Sequence, residues 1–90
     1  MNQEIALEVQ KLLDVVKRRL DGEHPEGVDV NLPLYSNRLS QKDVEKIRAL
    51  LQAELAVATE VEGFEPLVVP GRPQDKNEAG SLIVSFKVIP

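Results

Sequence analysis

The chain has no cysteine, no tryptophan and a single histidine, and each gap closes off chemistry. Without cysteine there is no disulfide, no thiolate nucleophile and no soft metal ligand. Small secreted domains commonly depend on disulfides, so their absence favours a reducing, cytoplasmic setting. Zinc-type centres draw several His or Cys ligands at defined spacing, and His24 has no companion. It sits in Asp21-Gly22-Glu23-His24-Pro25-Glu26, where a solvated loop imidazole accounts for it fully. No metal and no cofactor is expected. Neither the dinucleotide glycine fingerprint nor a phosphate-binding P-loop occurs. No Gly-x-Ser-x-Gly elbow occurs either, and Ser36, Ser81 and Ser85 have no base partner in view. No catalytic residue is assigned, and a non-enzymatic role is expected.

Long apolar runs are also missing. No stretch approaches the roughly 20 residues of a membrane span. Met1 to Glu8 carries neither a basic leader region nor an apolar core, so no secretory signal is expected there. Only three aromatics are present, Tyr35, Phe64 and Phe86, a thin supply for stacking on nucleic-acid bases. The net charge of −4 mixes both signs and works against phosphate binding. Lys17, Arg18 and Arg19 form the one basic run. As a nucleic-acid patch it would be small, and cations in the last turn of a helix are already explained by the helix dipole. Arg38, Arg72 and Lys76 would have to join it for a nucleic-acid accessory role.

What is present suits one small domain. The 90 residues are 42% apolar and 29% charged, enough for one core and too apolar for a disordered tail. Ile5, Val9, Leu12, Leu13, Val16 and Leu20 share one face of a 3.6-residue period, which predicts an amphipathic helix over residues 3–21 with Asn2 as its cap. Leu7 and Val15 fall outside that stripe. Residues 28–35 alternate, with Val28, Val30, Leu32 and Leu34 on one side. Pro33 cannot donate to a ladder, so that strand is expected to lie at an edge or to end there. Leu39-Ser40-Gln41-Lys42-Asp43-Val44 combines a capping box with a hydrophobic staple and starts a second helix. Its buried face is Val44, Ile47, Leu51, Leu55 and Ala58, and it should end at residues 58–60. Phe64 to Val69 is a short strand, Gly71 to Gly80 a long polar loop, and Leu82 to Ile89 a strongly β-forming strand. The predicted fold is α+β, of order α-β-α-β-β: a two-layer sandwich with two helices on one face of a three-stranded sheet.

The last strand carries the functional expectation. Leu82, Val84, Phe86 and Val88 would face the helices. Ile83, Ser85, Lys87 and Ile89 would face away, extended by Val68 and Tyr35. Such an apolar strip marks a contact surface, and a strand at a sheet edge can pair with another chain. The loop residues Arg72 and Lys76 would add contacts to an acidic partner. The expectation is a protein partner or a homo-oligomer, as in the small subunits, adaptors and inhibitors that bacteria and their phages encode. Nucleic acid is the alternative, and a carboxylate or His24 enzyme the third reading.

Overall fold

The computed structural model describes residues 2–20, 27–34, 39–71 and 80–89. Two helices, α1 (Asn2–Leu20) and α2 (Gln41–Ala56), accompany three strands, β1 (Val30–Leu34), β2 (Phe64–Gly71) and β3 (Gly80–Val88). A short 3₁₀ turn, Thr59–Val61, links α2 to β2. The order α-β-α-β-β and the α+β class are as the sequence predicts. Asn2 lies within α1 rather than ahead of it.

Periodicity accounts for the core. All six stripe residues of α1 are buried, as are Ile47, Leu51 and Leu55 of α2. Val30, Leu32 and Leu34 meet Leu82, Val84 and Phe86 there, with Val68 from β2. Leu7 and Val15 stay exposed, as their place off the stripe requires. The start of α2 is held by the expected reciprocal bonds: Asp43 N–H donates to Ser40 Oγ at 3.2 Å, and Ser40 N–H donates to Asp43 Oδ2 at 3.0 Å. The second bond holds the Asp43 carboxyl below the usual carboxylate range. Gly63, at φ +89, makes the left-handed turn into β2 that a Cβ would disfavour.

The sheet order corrects one expectation. It runs β1-β3-β2, with both pairings antiparallel. β1 and β2 are therefore not neighbours, and β3 is the central strand rather than an edge. Its backbone is occupied on both sides and cannot add a strand from another chain. β1 is an edge, as Pro33 indicates.

Cross-strand register sorts the faces. Val68 lies opposite Val84 and is buried under the helices, against the expectation that it joins the outer strip. The strand period of two gives that place to its neighbours Leu67 and Val69. Val88 has the helix-facing parity but is exposed, since it pairs with Phe64 at the end of the sheet, past the last buried rung of Phe86 and Pro66.

Candidate functional site

Three surfaces come out of this architecture: the sheet face away from the helices, the β2 edge and the β1 edge. On the first, Ile83 lies across from Val69 on one side and Asn31 on the other. Ser85 lies across from Leu67, and Lys87 from Glu65. Leu67 is half exposed, at 51%, while Val69 and Ile83 are partly covered. The apolar patch is thus Leu67, Val69 and Ile83, with the Lys87–Glu65 pair at one end. Ile89 does not join it. It lies at the sheet end, beside a hollow of about 350 Å³ shared with Val57, Val61 and Phe64. Its N–H donates to the Gly63 carbonyl at 3.2 Å. Arg72, Lys76, Tyr35, Arg38 and His24 lie outside the described residues.

The β2 edge is closed by α2. Gln52 Nε2 donates to the Pro66 carbonyl at 2.6 Å, and Val68 N–H donates to Gln52 Oε1 at 2.8 Å. Arg48, one turn earlier, donates from Nη1 to the Val68 carbonyl at 3.3 Å. Glu45 fixes Arg48 by accepting from Nε and Nη2, at 2.9 and 2.6 Å to Oε1. That hydrogen bond lowers the Glu45 carboxyl and raises the Arg48 guanidinium from their ordinary pKa values.

These bonds also fix the hydrogen-bond parity of the whole sheet. Val68 points both backbone groups outward, so the Val68–Val84 pair exchanges none. Val84 turns its own groups to β1 and exchanges them with Val30. The same alternation turns Pro66 and Pro70 outward on β2, and Asn31 and Pro33 outward on β1. All three sheet prolines occupy positions where no ladder bond needs their N–H.

The β1 edge has no such closure among the described residues. It borders two hollows with α1. One, of about 450 Å³, is lined by Glu8, Lys11, Leu12 and Val15 with Asn31 and Pro33. The other, of about 550 Å³, is lined by Val15, Arg18 and Arg19 with Asp29, Val30 and Asn31. Arg18 and Arg19 thus share their hollow with a carboxylate, while Arg38, Arg72 and Lys76, which a larger basic patch would need, lie outside the described residues. Nothing in the sequence short of the tertiary pairing marks this edge, apart from Pro33.

Among the described residues no three His, Asp or Glu side chains gather to hold a metal. Their shifted titrations are those of Asp43, Glu45 and Arg48, each explained by the cap or the ion pair and none lining a hollow described above. Among the described residues no helix is long and apolar enough to cross a membrane. Comparison with protein-family models, with curated proteins and with solved structures found no match for this chain.

Proposed function

We propose that this chain is a non-enzymatic protein-interaction module that docks a partner on the helix-free face of its sheet. The supporting observation is the Leu67, Val69 and Ile83 patch, which no described helix covers. A two-layer domain with both helices on one side gains nothing for its own core from apolar residues on the other. The Lys87–Glu65 pair supplies a polar rim with both charges, suited to orienting a protein partner. The nucleic-acid reading is weaker, because Asp29 shares the hollow of Arg18 and Arg19.

Affinity capture from native extract tests this, using the parent chain beside a Leu67→Lys, Ile83→Thr double variant and weighing the complexes. The substitutions make the patch polar, and threonine keeps a β-branched residue in the central strand. The parent should retain a stoichiometric protein partner or copies of itself, and the variant should lose it at unchanged fold. A complex that the variant holds undiminished would sink the reading.

A further inference from the structure

We draw no further inference here: the strongest candidate, the β1 edge with the hollow that Leu12, Val15, Leu32 and Pro33 line beside α1, would accept any extended strand, and nothing in the structure shows what covers it.

Discussion

Gln52 stands beside Val68 as a neighbouring strand would: its side-chain amide accepts from the Val68 N–H at 2.8 Å and donates to the carbonyl two residues earlier, on Pro66, at 2.6 Å. A single side chain of α2 thereby supplies the donor and acceptor that a fourth strand would have offered. With Pro66 and Pro70 lacking N–H groups on the same edge, β2 presents little to which another chain could pair. α2 is thus both a layer of the core and the guard of that edge.

Replacing Gln52 with alanine strips the partner from the Val68 N–H. The expected cost is about 1–2 kcal/mol, the usual consequence of orphaning a part-buried backbone group. Urea unfolding measures it. Amide exchange at Val68 should quicken by more than the global stability loss alone requires.

Ser40→Ala removes one half of the capping box and should cost about 1 kcal/mol. Acid should act on the other half. The folded state depresses the Asp43 pKa below its unfolded value, chiefly through the Ser40 N–H. Its contribution is therefore present above the unfolded pKa and is lost as pH falls through the folded one. Thermal melts across the acid range should show Asp43→Ala and the parent converging, since protonated Asp43 no longer accepts from the Ser40 N–H.

Gly71 and Ser81 are cross-strand partners with no room between them. A Cβ at Gly71 would lie 2.7 Å from Ser81 Oγ and 3.1 Å from Ile83 Cγ1. Gly71→Ala should destabilise by about 1–3 kcal/mol through overpacking. Ser81 Oγ is itself buried, with no hydrogen-bond partner among the described residues. Ser81→Ala should therefore be neutral or slightly stabilising, and should relieve part of the Gly71→Ala cost. A double-mutant cycle reads the coupling. Strict additivity of the two changes would refute the steric account.

Leu51 is fully buried in α2 within the single core cluster. Leu51→Ala should cost about 2–5 kcal/mol. Leu50→Ala, one residue along and half exposed, should cost well under 1 kcal/mol apart from helix propensity. Denaturation midpoints of the pair separate core from flank.

The local elements were legible from the chain alone. The stripe from Ile5 to Leu20, the Ser40–Asp43 box and the alternation from Val30 to Leu34 depend on neighbours within a few residues. Hydrophobic period and cap chemistry therefore determine them without knowledge of the rest. The absence of cysteine likewise rules out a disulfide within the chain.

Tertiary structure alone decided where the strands go. β3 carries the most strongly β-forming sequence, yet nothing in that sequence says whether it takes the centre or the edge. Its place between β1 and β2 depends on pairing residues some fifty positions apart, as Val30 with Val84. That placement removed β3 as a docking edge and buried Val68. It also turned Asn31 outward and assigned Arg48 and Gln52 to guarding β2. Alternation tells which residues share a face; only the register across strands tells which face is covered and which edge is open.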